Sequence, residues 1–374
     1  VYPQAVPYHP PAHYPELAFL VETDPANRVY DSVRSLFRML GYDAEHFGTP
    51  EWNPMGWLIR PGETVFLKPN LIAHRHKLRD EWNCVITHGS VTRAVTDYVY
   101  RALGGRGRIL IGDAPQEDSD WDAVLERTGL RALRGFYRDR LGFEIEILDL
   151  RELHRVEEEG IYVETRRLAG DPRGEVTVDL GKHSMFADPA CQGKVYYGAY
   201  YDWAETNLHH SNARHEYALS RSPLIADVFI NLPKLKTHKK CGLTVNLKGL
   251  VGISARKNWL PHYSFGSSDT GGDQFSRSGA RFRLENWVVR NSKRLLLRDL
   301  PWFKNLARWA KRIGYQVFGP TEQVVRSGNW HGNDTVWRMA LDLNRGLLFA
   351  SPDGTLKEDA VAKRCFSVVD GIVA

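Results

Sequence analysis

Residues 225–252 read IADVFINLPKLKTHKKCGLTVNLKGLVG, an apolar run that turns abruptly into positive charge. Residues 226–231, β-branched and aromatic, have the composition of a buried strand, and Pro233 stops it. Lys234, Lys236, His238, Lys239 and Lys240 follow at once. Ligands of open α/β sheets bind beyond the carboxyl ends of the strands, so cations gathered at a strand end mark an anion site. Three other segments repeat the arrangement. TVFLKPN (64–70) ends in Lys68 and Asn70, RILIGDAP (108–115) in Asp113, and CFSVVDG (365–371) in Asp370. If these strands are parallel neighbours, Lys68, Asn70, Asp113, Asn231, Lys234, Lys236, His238 and Asp370 face one rim, a candidate active site.

The periodic segments between these runs set the fold class. Residues 27–40 place Val29, Val33, Leu36, Phe37 and Leu40 on one helical face, and Gly41 supplies a stop. Residues 90–103 form a second helix that opens at Ser90, carries Val91, Ala94, Val95, Tyr98 and Val99 inward, and ends at Gly104 and Gly105. Strand, helix and strand through Val65, 90–103 and Ile109 make a βαβ unit with parallel strands. A helix over 121–137 and a strand over 143–148 continue the series, whereas 161–178 alternates as antiparallel strands or a hairpin would. The expected fold is α/β, a mostly parallel central sheet with helices on both faces, an inserted β-hairpin region and a basic helical subdomain. The expected division is a Pro-rich extension over 1–26, an α/β core over 27–254 with its β insertion around 155–220, a loop and basic helical part over 255–332, and a return to the core over 333–374.

A chain of 374 residues with 43% hydrophobic content can bury a sizeable core. Residues 1–17 lack the apolar stretch of a secretory signal, and no run approaches the roughly 20 apolar residues that span a bilayer. Cys84, Cys191, Cys241 and Cys365 show no CxxC spacing and fit free thiols in a reducing compartment, with the cytoplasm as default. The net charge of +5 is uneven: residues 281–312 alone carry +8, which leaves about −3 for the rest. There Phe303, Leu306, Trp309, Ala310 and Ile313 share one helical face, with Lys304, Arg308, Lys311 and Arg312 turned away. Such an element can be a lid packed on the core or a peripheral membrane contact through 281–313. Nucleic-acid binding is disfavoured, because no recognition motif accompanies the charge.

Several side chains qualify for chemistry. His238 is the first candidate for a general base or metal ligand, since neighbouring cations, Lys239 among them, keep an imidazole neutral. His88 opens a helix in THGS, where the positive helix end acts the same way. Lys248 stands alone among Leu243, Val245, Leu247, Leu250 and Val251, so it must snorkel or find an anion, and burial would depress its pKa toward catalytic use. Asn246 lies two residues before it. Asp113 and Asp370 could hold a divalent metal, against turn formation as the plainer role. His74, His76, His209, His210 and His215 form no HExxH pattern, and hydrogen-bonding roles outweigh a zinc cage. GGDQF (271–275) reads as a flexible turn with an acidic tip. GxGxxG after a strand, a Walker lysine motif and GxSxG are all absent.

With FLKPNLI, THGSVTRAVTDYV, GDAP, INLPKLKTHKKCGLTVNLKGLVG and VVDGI in this order from about residue 64 onward, the chain resembles the domain-of-unknown-function 362 family. Many members of that family carry a ferredoxin-like cysteine module, but this chain has no CxxC, so no iron–sulfur cluster is expected from it. The family's pattern continues past VVDGI into a glycine-rich segment, while this sequence stops at Ala374, so part of the site is expected to lie beyond it. In outline the family is also similar to the lactate racemases, which implies a nickel-pincer nucleotide or another transition metal as an option. The leading expectation is an enzyme acting on an anionic small molecule, carboxylate or phosphate, held by Lys68, Asn70, Lys234, Lys236, Lys248 and Asn246. His238, with His88 or Lys239, would transfer protons in isomerase, epimerase or lyase chemistry. The alternatives are a redox protein of an iron–sulfur-bearing family without its cluster module, and a docking protein for membrane surfaces or polyanions.

Overall fold

The computed structural model describes residues 1–76, 81–158, 161–200, 202–211, 213–280, 282–284, 286–287, 291, 327–357 and 361–373. The chain forms α1 (Arg28–Met39), β1 (Thr64–Pro69), α2 (Gly89–Leu103), β2 (Arg108–Asp113), α3 (Trp121–Arg127), α4 (Leu130–Leu141) and β3 (Ile145–Asp149). An antiparallel excursion follows: the hairpin β4 (Leu153–Glu158) and β5 (Ile161–Arg167), then β6 (Glu175–Asp179), β7 (Tyr196–Tyr197), α5 (Trp203–His209), β8 (His210–Ser211) and β9 (Arg214–Ser220). The chain returns through α6 (Arg221–Ile225), β10 (Val228–Leu232), the short hairpin β11 (Lys236–His238) and β12 (Gly242–Thr244), α7 (Asn246–Gly249) and β13 (Tyr263–Ser264). It closes with α8 (Val336–Phe349) and β14 (Arg364–Ser367).

Five of these strands form one sheet in the order β14-β10-β1-β2-β3, every pair parallel. β1 and β10 are buried along their whole length, which is why they read as continuous apolar runs. Alternation divides their side chains between two cores. Val65, Leu67, Ile109, Ile111, Val228, Ile230 and Leu232 pack beneath α1, α2 and α4. Phe66, Leu110 and Phe229 face the other way, against Leu250, Val251 and Ile253, the β6 and β9 strands, and Val336, Met339, Leu343 and Leu347 of α8. Phe66 and Phe229 stack with centroids 5.8 Å apart and rings 2° from parallel, and burial of each ring contributes about 2–3 kcal/mol. The expected α/β sheet with covered faces is what forms.

Three local expectations need correction. The helix over 121–137 is two helices, because Gly129 takes the left-handed conformation (φ 66°) and restarts the turn as α4. α2 begins one residue earlier than read, and His88, not Ser90, caps it: the ring Nδ1 accepts the Ser90 N–H at 3.2 Å. GGDQF is no free acidic tip. Asp273 is buried and accepts from Ser264 N at 2.5 Å, Thr335 Oγ1 at 2.7 Å and Asp334 N at 2.9 Å, which ties the loop to the start of α8. The basic segment 281–313 lies outside the described residues, save 282–284, 286–287 and 291. Among the described residues no helix is long and apolar enough to cross a membrane.

Candidate functional site

The rim residues that the sequence groups together separate across the sheet. Lys68 and Asn231 are register partners on β1 and β10, on the same face as Phe66 and Phe229. Lys234, two residues beyond Leu232, returns to the α2 face, where it meets Tyr2 of the first core.

On the α2 face the charges are mutually satisfied. Lys234 Nζ lies 3.3 Å from Asp370 Oδ2 and donates to the Tyr2 hydroxyl at 2.6 Å, and that hydroxyl donates to Asp370 Oδ1. The His88 backbone N–H donates to Asp370 Oδ2 at 2.9 Å, so the carboxylate sits on the positive end of α2. The His88 ring stacks on Tyr2 with centroids 4.1 Å apart and on Trp82 at 5.1 Å. Burial, reinforced by the Lys234 charge, pushes its pKa down to about 3, so the ring is neutral, with Nδ1 already occupied as a cap. Of the expected site residues, His88, Lys234 and Asp370 therefore form a scaffold that fastens the N-terminal segment to the helix start and the last strand. Asn70 belongs with them, its backbone exchanging hydrogen bonds with Thr87 and Leu232.

The opposite face gathers cations around a single ion pair. Lys68 Nζ is 2.8 Å from Asp113 Oδ1, both buried, and Asp113 Oδ2 accepts the Leu71 N–H at 2.6 Å. Gly252 covers the pair so closely that a Cβ there would lie 1.6 Å from Asp113 Oδ1. Lys257 lies beyond it, 4% exposed, donating to Val251 O at 2.8 Å and Ser254 O at 3.1 Å. Burial pushes its pKa down to about 7, with Asp113 opposing and Lys68 adding to the fall. Glu117 also acts on Lys257 but is itself paired with Arg155 at 2.7 Å. Lys236 donates to Val85 O at 2.5 Å and is pushed down to about 8 by burial and by Lys248. Lys248 itself, on α7, is half-buried. Its ammonium has no hydrogen bond or ion pair with any described residue, and burial together with Lys68 pushes it to about 8.

Two imidazoles complete this cluster. His238 ends β11; its Nδ1 accepts the Lys240 N–H at 3.2 Å, with the Cys241 thiol 3.3 Å away. Burial and then Lys248, Lys240 and Lys236 hold its pKa near 3. His262 lies in the loop before β13 with Nδ1 2.8 Å from Leu260 O, and its pKa is held well below the ordinary value by burial, then by Lys248. Asn246 acts as a fastener: its Oδ1 accepts from Ser367 Oγ at 2.7 Å and its carbonyl from Asn231 Nδ2 at 2.9 Å, which fixes α7 to β10 and β14. Lys239 is exposed, and no hydrogen bond or ion pair ties it to the described residues of the cluster.

Lys68, Asp113, Lys236, His238 and Lys248 are thus brought together as the sequence implied, while His262, Lys257 and Cys241 were missed. The last three sit in loops or tight turns with no periodicity; the one available signal was a histidine and a lysine amid buried apolar residues in KNWLPHY. Asp113 and Asp370, each ion-paired with its own lysine, do not converge as metal ligands. Among the described residues the one trio whose ligand atoms lie within 4.8 Å of one another is Asp43, Glu45 and His46, away from the rim. Chemically, this side of the sheet offers an ammonium with no partner among the described residues and two neutral rings, all partly buried, the means to bind an anion and to stabilise negative charge that develops on it.

A family model described as "Domain of unknown function (DUF362)" matches residues 65–169 and 180–374. No curated protein and no solved structure matches the chain.

Proposed function

Because the chain belongs to the DUF362 family, whose description assigns no activity, we propose from the geometry that it is an enzyme of the isomerase or epimerase type. It binds a small carboxylate- or phosphate-bearing molecule beside Lys248 and moves protons on it. The observation that carries this reading is the Lys248 ammonium, which has no hydrogen bond or ion pair among the described residues and is half-buried near Lys68, Lys236 and Lys257 with Asp113 already engaged. Taking water from an ammonium without replacing it is costly, and a ligand that supplies the countercharge removes that cost. His238 supports the reading, since a neutral ring beside that anion can hydrogen-bond to it without adding a proton at neutral pH.

Charge-assisted hydrogen bonds contribute about 1.5–3 kcal/mol, or roughly 10- to 100-fold in Kd. Titration calorimetry with inorganic phosphate and with small mono- and dicarboxylates should therefore give binding that Lys248→Met weakens by that factor, with Lys239→Met unaffected. If Lys248→Met binds as tightly as the parent chain, or the parent binds none of these anions, the proposal is wrong.

A further inference from the structure

The two imidazoles beside Lys248 are held in opposite tautomers, and this gives them different work. A backbone N–H can only donate, so the Lys240 N–H at 3.2 Å fixes His238 Nδ1 as an acceptor and leaves the ring proton on Nε2. A carbonyl oxygen can only accept, so Leu260 O at 2.8 Å fixes His262 Nδ1 as the protonated nitrogen and leaves a lone pair on Nε2. Neither Nε2 has a partner among the described residues. The His262 backbone is pinned on both sides, its N–H donating to Tyr197 O at 2.7 Å and its carbonyl accepting from Asn333 Nδ2 at 3.0 Å, so the ring is presented rigidly. Lys240, whose N–H caps His238, lays its Nζ 5.0 Å from the ring centroid of Tyr263, which brings the β11 turn against the residue that follows His262; both rings also feel the Lys248 charge, and His262 feels His238.

We infer that His262 is the proton acceptor of this site and that His238 is its hydrogen-bond donor, acting on an anionic substrate with an acidic C–H next to a carbonyl group. The inference rests on the anion-site reading and adds the reaction class to it. In the step, His262 Nε2 takes the proton, the C–H electron pair becomes the C=C bond of an enolate, and the carbonyl pair moves onto oxygen. His238 Nε2–H and the Lys248 ammonium stabilise that oxygen. Return of the proton from His262 to the same carbon after the enolate has turned its opposite face to the ring restores the C–H bond and the carbonyl and inverts that centre, an epimerisation with no oxidant or reductant consumed. The negative substrate supplies the countercharge that lets His262 hold the proton among cations. Sequence reading gives the base to His238; with its Nδ1 capped, that ring takes the donor's part here and His262 the base's.

Long-range 1H–15N NMR of the full chain near neutral pH reads the tautomers directly. His238 should show an unprotonated Nδ1 and His262 an unprotonated Nε2, and either ring in the other tautomer would overturn the inference. The second measurement is solvent-deuterium exchange into a panel of 2-keto acids and keto-phosphates, with phosphate affinity measured in parallel. His262→Asn keeps a donor at the Nδ1 position for Leu260 O and lacks the base. It should lose about 100-fold or more of the exchange rate while binding phosphate within about twofold of the parent. Exchange that survives in His262→Asn, or a parent chain that binds phosphate but exchanges no panel member, overturns the assignment of the base and leaves the anion site standing. Absence of phosphate binding in a parent chain with the expected tautomers overturns the anion site instead.

Discussion

Lys248 is the residue whose placement costs the fold most visibly, because folding removes water from its ammonium and returns no partner among the described residues. Its pKa is pushed from the ordinary 10.5 down to about 8. Between those values the unfolded chain binds more protons than the folded one, so this residue's contribution to stability improves as pH rises from about 8 to about 10.5 and is unfavourable below. Lys248→Met keeps the length of the side chain without the charge. We expect it to stabilise the protein by about 1–3 kcal/mol at pH 7, discounted for partial exposure, with the gain fading toward pH 10.5. Urea unfolding at the two pH values checks this, and a Lys248→Met chain that is less stable at pH 7 would mean that the ammonium has a partner in solution. A substitution that strengthens the fold while weakening anion binding is the pattern expected where stability has been traded for a site.

At the level of strands and turns the anion face depends on Gly252. The turn after α7 drops its backbone directly onto the Lys68–Asp113 pair, with Ala114 N donating to Gly252 O at 2.8 Å, so that β2, β1 and the turn share one contact. A Cβ at Gly252 would lie 1.6 Å from Asp113 Oδ1 and 2.7 Å from Lys68 Nζ, whereas one at Gly249 meets nothing closer than Asn231 Oδ1 at 3.4 Å. Gly252→Ala should therefore break or displace a buried ion pair, a loss of about 3–5 kcal/mol, while Gly249→Ala, in ordinary contact, should change stability by less than about 1 kcal/mol. Thermal unfolding of the two variants distinguishes them, and equal effects would remove the argument. The same elements show what the sequence could and could not disclose. That four strands end in charge was legible, since a buried parallel strand is an unbroken apolar run and its polar end stands out. Which face each charge takes was not, because it hangs on a period of two. Lys68 and Lys234 share a rim but belong to different faces, and no composition signal fixes where β10 stops alternating and the turn at Pro233 begins. His262 and Lys257 were hidden for a related reason: both are placed by hydrogen bonds that they donate to backbone carbonyls, Leu260 O, Val251 O and Ser254 O, which leave no periodic trace.

For the molecule as a whole, the separation of the rim into two faces makes one side structural and the other responsive to protons. The α2 side closes its charges among Tyr2, Lys234, Asp370 and the start of α2, and nothing there needs a ligand. The other side keeps Lys236 and Lys248 near 8 and Lys257 near 7 by burial, so each is partly deprotonated just above neutral pH when the site holds no anion. An anion placed beside Lys248 stabilises the ammonium forms and raises those pKa values, which by linkage means that binding draws protons from solution between about pH 7 and 10. The sign follows directly. Below about pH 6 the lysines are already charged and take up no protons on binding; above about pH 8 the anion must first recruit protons, so affinity falls as pH rises, by up to about tenfold per unit for each proton taken up. Calorimetry of phosphate binding at pH 8.5 in two buffers of different ionisation enthalpy measures that uptake. A positive value that shrinks in Lys248→Met is the expected result, and an affinity unchanged from pH 7 to 10 would place the anion away from these lysines. Because the groups are buried, the effect should persist at high salt, unlike binding to an exposed basic surface, which screening would erase.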